Sequence, residues 1–143
     1  MKSVGNNRKG FTLLEIAVVI AVLAVILSFG MTADLTNMRS DSFLVEQSKI
    51  VSTLEKARSR AMNNLFDTNH GVCYTPPNYI IFQGDTCVPG ESVTANVNIT
   101  TTFPSSPIIF DRLTGKTNTA VIHITDNTRS ADITINNEGR IDW

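Results

Sequence analysis

Hydrophobic positions follow three different patterns along the chain, and the first is an unbroken apolar run over residues 16–27. It lies in a longer segment, 11–31, that only four polar or small residues interrupt. At 1.5 Å per residue, a helix over this segment extends about 30 Å, which matches the hydrocarbon core of a bilayer. The pattern therefore predicts a membrane-spanning helix near the N-terminus.

The second pattern has the period of an amphipathic helix. Its apolar residues recur at spacings of 7, 4, 3, 4 and 4, which places them on one helix face. These residues are Phe43, Ile50, Leu54, Ala57, Ala61 and Leu65. Charged residues occupy much of the remaining surface, namely Glu46, Lys49, Glu55, Lys56, Arg58 and Arg60. We therefore expect one helix over about 11–64, whose second half needs a partner surface from the rest of the chain.

Short β-like segments follow after residue 69. They cover residues 79–82, 93–101, 108–111, 119–125 and 131–137. Two of them alternate, so that Ala120, Ile122 and Ile124 share one face, as do Ala131, Ile133 and Ile135. Prolines and glycines mark the turns between them. The sequence predicts an α+β protein in which a long N-terminal helix packs on a small antiparallel β-domain with one face in water.

Charge is unevenly placed, although the chain of 143 residues has a formal net charge of −1. Residues 1–10 hold Lys2, Arg8 and Lys9 and no acid, and such a basic flank keeps an N-terminus in the cytoplasm. The remainder holds nine cations and thirteen acids, a net charge of −4. That is not the balance expected of a general nucleic-acid binder.

These patterns divide the chain into four parts. We expect a basic leader at 1–10, a transmembrane helix at 11–31, an amphipathic helix at 32–65 and an exported β-domain at 66–143. The two cysteines, Cys73 and Cys87, both fall in the last part. An oxidising compartment permits a disulfide between them, and free thiols are the alternative.

One carboxylate, Glu15, stands near the start of the apolar segment. An acid costs about 2.5–3.5 kcal/mol at the centre of a membrane helix, so such a residue is a functional candidate by default. It ends the sequence Gly10-Phe11-Thr12-Leu13-Leu14-Glu15, which follows the basic leader and precedes the apolar run. This arrangement resembles the processing site of type IV pilins and type II secretion pseudopilins.

Two other interpretations of the N-terminal segment remain open. An ordinary secretory signal would be removed, and Ser28-Phe29-Gly30 offers a small-x-small cleavage triplet that would release a secreted β-domain. An uncleaved anchor would carry Glu15 incidentally. Both leave the carboxylate without a role, whereas the pilin-type interpretation gives it one.

The resemblance implies cleavage by a prepilin peptidase between Gly10 and Phe11, followed by N-methylation of Phe11. It also implies the pilin fold and an assembly role rather than catalysis, in which Glu15 of one subunit pairs with the Phe11 amine of a neighbour. The implied location is the inner membrane, as a single-pass protein with a periplasmic or extracellular head, before entry into a fibre. The implied partners are other pilin-type subunits, the peptidase, an assembly platform and the membrane, with no cofactor, metal or small-molecule substrate.

Shorter matches resemble one branch of this family, the H-type minor pseudopilins and T-type minor pilins. They are Ala57-Arg58-Ser59-Arg60-Ala61 with Asn63-Asn64, Phe110-Asp111 before Thr114-Gly115, and Ile133-Thr134-Ile135 before Gly139-Arg140. The resemblance implies a minor subunit of a secretion pseudopilus or a type IV pilus. The subunit that caps a pseudopilus typically lacks the carboxylate, so Glu15 implies a position beneath the tip.

An enzymatic function finds little support in the sequence. The two histidines, His70 and His123, accompany no phosphate-binding loop, zinc-binding helix or nucleophile elbow. His123 is expected on the wet face of its strand. Asp126, Asn127 and Asp132 supply oxygen atoms near one turn, but their spacing is not that of a calcium loop.

Capture of DNA by a minor pilin is the alternative binding function. Each phosphate contact needs a cation, and a DNA-binding surface needs several cations without adjacent acids. Lys56, Arg58 and Arg60 adjoin Glu55, and after Gly139 the one cation is Arg140. A solvated helix face accounts for this pattern better than a DNA-binding surface does.

Overall fold

The computed structural model describes residues 12–143, and for residues 29–41 it describes the backbone alone. The expected leader, 1–10, and the expected cleavage residues Gly10 and Phe11 lie outside the described residues. The chain divides into two compact units, Met1–Arg39 and Ser40–Trp143, and the second is called the head below. Each unit contains part of one α-helix, α1, which is assigned over Leu13–Met62.

Within the head, α1 buries the face that its apolar spacing predicts. Phe43, Ile50, Leu54, Ala57 and Ala61 all belong to the core. Burying a large aliphatic side chain contributes about 1.5–3 kcal/mol, so this face supplies much of the attachment between helix and sheets.

Leu65, predicted on the same face, does not share this burial. It lies in a short 3-10 helix, Leu65–Asp67, and stays 40% exposed. Leu65 leaves the buried face because α1 ends before it, where Asn64 adopts a left-handed conformation with φ of 53°. A left-handed residue is a common way to end a helix, and it turns the following residues away from the helical face.

Eight strands in the described residues form two four-stranded antiparallel sheets. They are β1 His70–Thr75, β2 Asn78–Gln83, β3 Glu91–Thr94, β4 Thr100–Thr102, β5 Ile108–Phe110, β6 Ala120–Thr125, β7 Ser130–Ile135 and β8 Ile141–Asp142. Sheet A has the order β3-β2-β1-β5 and sheet B the order β4-β6-β7-β8. The predicted α+β class, a helix followed by a small antiparallel β-domain, is confirmed.

The alternation predicted for β6 and β7 is present. Ile122 and Ile124 of β6 and Ile133 and Ile135 of β7 are buried in the core, and Ile122 lies opposite Ile133 in the register. Their strand neighbours on the other face, such as His123, are exposed. Each strand therefore has one buried face and one solvent-exposed face, as the alternation predicts.

The single strand predicted over 93–101 is wrong. This segment forms the end of β3 and the start of β4, which belong to different sheets. Asn96 breaks it, since its side-chain oxygen accepts the backbone N–H of Asn98 at 3.0 Å and its carbonyl accepts that of Ile99 at 3.1 Å. Asparagine favours such local turns over a sheet ladder.

Strand β1 was not predicted, because it carries no alternation. Its first four residues are all buried, and it pairs with β2 on one side and β5 on the other. Strands β1 and β5 approach each other closely at Gly71, where a Cβ atom would come within 2.6 Å of the Ile108 carbonyl oxygen. A side chain at this position would push β5 away from β1.

Candidate functional site

Thr12 caps the first turn of α1. The backbone N–H of Glu15 donates to the Thr12 carbonyl at 3.0 Å and to the Thr12 hydroxyl at 3.3 Å. Thr12 and Glu15 thus occupy the N-cap and third positions of a capping-box sequence, and the Thr12 hydroxyl satisfies the Glu15 N–H, one of the groups that a helix start leaves without partners. The Thr-x-x-Glu spacing in the sequence predicts this capping role of Thr12.

Glu15 also lies where the helix dipole favours an anion. It is the acidic residue in the first turn of α1, and carboxylates are stabilised near a helix N-terminus. Its side chain therefore has a role within its own chain, besides any role toward a neighbour. Both roles use the same charge at the same end of the helix.

The residues that follow Glu15 expose an apolar surface all round the helix. Between Ile16 and Leu27 the large side chains are 53–67% exposed, with no polar face. In water such a surface is strongly unfavourable, so this part of α1 requires apolar surroundings. Over the described residues, no helix combines the length and the apolar character needed to cross a membrane.

Comparison with known protein families matches the start of the chain, residues 5–31, to the prokaryotic N-terminal methylation motif. The matched range includes Gly10, Phe11 and Glu15 together with the apolar run. It supports a subunit of the pilin or pseudopilin type, and it does not extend into the head. Neither a curated protein nor a solved structure matches the chain.

Glu46 is a buried carboxylate, which corrects its expected place on the polar helix face. It is 1% exposed, and its Oε1 accepts the Tyr79 hydroxyl at 2.7 Å and the Asn96 backbone N–H at 3.1 Å. Its Oε2 accepts the Lys49 ammonium at 2.7 Å. The spacing 43-46-50 is itself helical, so position alone could have placed Glu46 on the buried face.

The Glu46 contacts join α1 to both sheets. The Tyr79 hydroxyl, from β2 in sheet A, also lies 2.9 Å from the Thr101 hydroxyl, from β4 in sheet B. Lys49 donates in addition to the Thr94 carbonyl at 2.9 Å, at the end of β3. Burial raises the pKa of the Tyr79 hydroxyl far above its ordinary value, so the phenol stays protonated and able to donate.

Three of the four cations considered for DNA binding are paired with carboxylates at the surface of the head. Lys56 and Arg60, on α1, both donate to the carboxylate of Glu91 in β3. These two cations hold the pKa of Glu91 below its ordinary value. Arg140 pairs with Asp142 at 2.9 Å. Because each of these three cations already pairs with a carboxylate, with Glu91 shared by two of them, they do not form the open basic surface that phosphate binding uses.

The candidate calcium ligands lie near one turn, but the Asp126 carboxylate already accepts hydrogen bonds from its own turn. Its Oδ1 accepts the Thr128 hydroxyl at 2.6 Å and the backbone N–H groups of Thr128 and Arg129 at 3.0 and 2.8 Å. These hydrogen bonds, the Thr128 hydroxyl first, hold the pKa of Asp126 well below its usual range. Asp132 contacts His123 across the strand pair β6–β7. Among the described residues, no cluster suited to a metal ion is present.

Three short segments of the head that resemble the H/T branch meet at one place. Gly115 and Gly139 both have positive φ, 64° and 75°, and a Cβ atom on Gly139 would lie 2.0 Å from the Gly115 carbonyl oxygen. Arg58 of α1 covers both glycines and donates to the Glu138 carbonyl at 3.2 Å. The end of α1 therefore packs against two loops. These loops can lie this close to each other and to the helix only because each has a glycine at the contact.

The expected disulfide between Cys73 and Cys87 is present. It links β1 to the connection between β2 and β3, with a Cα–Cα distance of 6.1 Å and a separation of 14 positions. Closing a loop of this length lowers the entropy of the unfolded chain by the equivalent of about 3 kcal/mol.

Reduction of this disulfide should therefore lower the free energy of unfolding by about 3 kcal/mol, a large share of an ordinary domain stability of roughly 5–15 kcal/mol. Thermal melting with and without reductant measures the effect. A Cys73→Ser, Cys87→Ser double variant is the control, because its melting temperature should not respond to reductant. Two freely alkylated thiols in protein taken from its native compartment would contradict the prediction.

Proposed function

We propose that this protein is a minor structural subunit of a pseudopilus or type IV pilus that takes part in protein secretion across the cell envelope. The methylation motif over 5–31 carries the proposal, because it combines a cleavable basic leader with an apolar helix that starts with one carboxylate. The capped start of α1 and the uncovered apolar side chains after it support the same role. The protein assembles; it is not an enzyme.

Processing is the first step of the proposed function. A prepilin peptidase hydrolyses the amide bond between Gly10 and Phe11 on the cytoplasmic side, which frees the α-amino group of Phe11. Methylation of this nitrogen leaves an amine that still carries a proton and a positive charge. The segment 11–31 then holds the subunit in the inner membrane, with the head outside the cytoplasm.

Assembly follows from the cost of an unpaired charge in hydrocarbon. The Phe11 amine and the Glu15 carboxylate lie four positions apart at one end of an apolar helix, and each seeks an opposite charge there. When helices stack, Glu15 of one subunit pairs with the amine of the next. A polar pair in an apolar seam fixes the axial register, as a buried polar residue does in a coiled coil.

The H/T branch is the proposed subtype. Its support is the convergence of the three resembling segments at Arg58, Gly115 and Gly139. Glu15 supports a position beneath the tip of the fibre. Capture of DNA is the less favoured alternative, since Glu91 and Asp142 already pair the main cations of the expected surface.

Co-expression with a prepilin peptidase tests the proposal at its first step. The mature chain should begin at Phe11, and Gly10→Ala should impair the cut because the added methyl group lies beside the scissile bond. Mass spectrometry of the purified chain measures both. A mature N-terminus at Met31 would establish the secretory interpretation and remove the fibre hypothesis.

A further inference from the structure

Strand β5 is an edge of sheet A, and the hydrogen bonds of its neighbours show which of its backbone groups face the free side. The Gly84 N–H donates to the Asn69 carbonyl at 2.8 Å, which continues the β1–β2 register and assigns the odd-numbered residues of β1 to β2. The even-numbered residues of β1 therefore bond to Ile108 and Phe110 of β5. Ile109, between these two, directs its N–H and C=O away from β1.

Asp111, two positions further on, has the same direction. Its N–H donates to the Lys116 carbonyl at 2.7 Å, and its carbonyl accepts the Gly115 N–H at 2.8 Å. The chain thus turns back along the free side of β5 as a hairpin. Because residue 111 bonds to residue 116, continued pairing would place Asn118 opposite Ile109.

The hairpin opens before it reaches that pair. The Thr117 N–H donates instead to the carbonyl of Asn137, which follows β7 in sheet B, at 3.2 Å. Over residues 12–143, no hydrogen bond links Ile109 to Asn118. The N–H and C=O groups on the free side of β5 are therefore without the backbone partner that the hairpin would have supplied.

A groove runs between the two diverging segments. Its larger part has a volume of about 530 Å³ and its smaller part about 100 Å³, and Ile109, Thr117 and Asn118 line both parts. Pro107, in the smaller part, has no N–H, so Ile109 supplies the donor that β5 offers here. A proline next to a short edge strand limits pairing to a short partner strand.

The larger part of the groove is acidic. Three carboxylates, of Asp85, Asp111 and Glu138, and one ammonium, of Lys116, give its lining a net charge of −2. Lys116 lies 3.5 Å from Glu138, and Asp85 accepts the Asn69 side-chain amide at 2.7 Å. Within the described part of the chain, neither aspartate has an ion pair. A ligand that complements this end carries a cation.

We propose that this groove binds an extended peptide segment of a different protein, and that the segment carries a lysine or arginine. The peptide adds a strand to the free side of β5, where it donates to the Ile109 carbonyl and accepts the Ile109 N–H. Its basic side chain lies toward Asp85 and Asp111. Main-chain hydrogen bonds supply affinity and the charge supplies selectivity, and the inference concerns the head alone, independently of fibre assembly.

Hydrogen exchange on the full-length chain in detergent micelles tests the proposal. The probe is the peptide acetyl-Thr-Val-Lys-Val-Thr-amide, in which residues that favour strands flank one lysine. At about 1 mM peptide, exchange of the Ile109 amide should slow at least about tenfold, because this N–H becomes paired. The amide of Val97, which is 86% exposed, is the control and should exchange at an unchanged rate.

Two altered peptides separate strand pairing from attraction between charges. A peptide that is N-methylated at every residue keeps the lysine but cannot donate main-chain hydrogen bonds, and it should bind at least about tenfold more weakly. A peptide with glutamate in place of lysine should also weaken about tenfold. Equal binding of the N-methylated peptide, or an unprotected Ile109 amide with the original peptide, would overturn the proposal.

A double variant, Asp85→Asn with Asp111→Asn, tests the acidic end. Asparagine keeps the size of each side chain and an oxygen acceptor for the Asn69 amide. The lysine peptide should bind about tenfold more weakly to this variant, whereas a norleucine peptide should bind as it does to the unaltered chain. Glu55→Gln, at an exposed position of α1, is the matched control and should change neither affinity. An equal loss in the double variant and the control would overturn the proposed site.

Discussion

Replacing Glu15 by leucine is expected to leave the chain processed and held in the membrane but unable to enter fibres. Insertion should be as good or better, because the change removes an acid from an apolar helix. Assembly should fail because the Phe11 amine of the next subunit keeps its charge without a partner. Breaking a buried ion pair costs about 3–5 kcal/mol, which is more than a hundredfold in an association constant.

Glu15→Gln distinguishes this role from a role of the Glu15 side chain in capping its own helix. Glutamine can take the third position of a capping box but carries no charge. If the register depends on the ion pair, the Gln variant should fail as the Leu variant does, whereas Glu15→Asp should be intermediate. Quantifying processed chain in sheared fibres against membranes measures all three. Normal entry of Glu15→Gln into fibres, with Glu15→Leu excluded, would assign Glu15 to capping instead.

Replacing Glu46 by leucine should destabilise the head by about 3 kcal/mol. The change removes the acceptor of the Tyr79 hydroxyl and of the Asn96 N–H, and it leaves Lys49 without its carboxylate. Tyr79 keeps Thr101 as a partner, and the Lys49 side chain, which is 27% exposed, can regain water. The loss therefore comes mainly from the N–H of Asn96 and from the severed link between α1 and the sheets.

Urea unfolding of the head measures this loss as a lower midpoint. Glu55→Leu is the matched control, because Glu55 is exposed on the same helix and its replacement should change stability by less than about 0.5 kcal/mol. Glu46→Gln should lie between the two, since the amide oxygen can still accept one hydrogen bond. Equal midpoints for the Leu variants at positions 46 and 55 would show that the buried carboxylate contributes nothing.

Much of the fold could be read from the sequence, because periodicity reports which face of an element is buried. The 3.6-residue spacing from Phe43 to Ala61 identified the core face of α1, and alternation identified β6 and β7. The expected export and the spacing of Cys73 and Cys87 favoured their disulfide over free thiols, and the structure contains it. For α1, β6 and β7, one local pattern predicts which face is buried, and the tertiary contacts are consistent with that prediction.

Other features depend on contacts that no local pattern encodes. Strand β1 is buried on both sides and therefore has no alternation, and Gly71 in it is explained only by its neighbours in β2 and β5. The charge of Glu46 predicted a solvent-exposed side chain. Hydrogen bonds from the Tyr79 hydroxyl and the Asn96 N–H instead make its burial favourable. The left-handed conformation of Phe66, with φ of 58°, has no sequence signature, because a bulky apolar residue rarely adopts it.

The place of Glu15 in the first turn of α1 has a consequence for how a fibre would grow. If each carboxylate meets the amine of the next subunit, all charges inside the stack are matched, and one amine and one carboxylate remain unmatched at opposite ends. That residual penalty is the same for a short fibre as for a long one. A single subunit carries the same two unmatched charges, so the first association and every later addition each gain one matched pair, and this pairing creates no costly nucleus. Any control over how many fibres start would then have to come from contacts other than the pairing of Glu15 with the Phe11 amine.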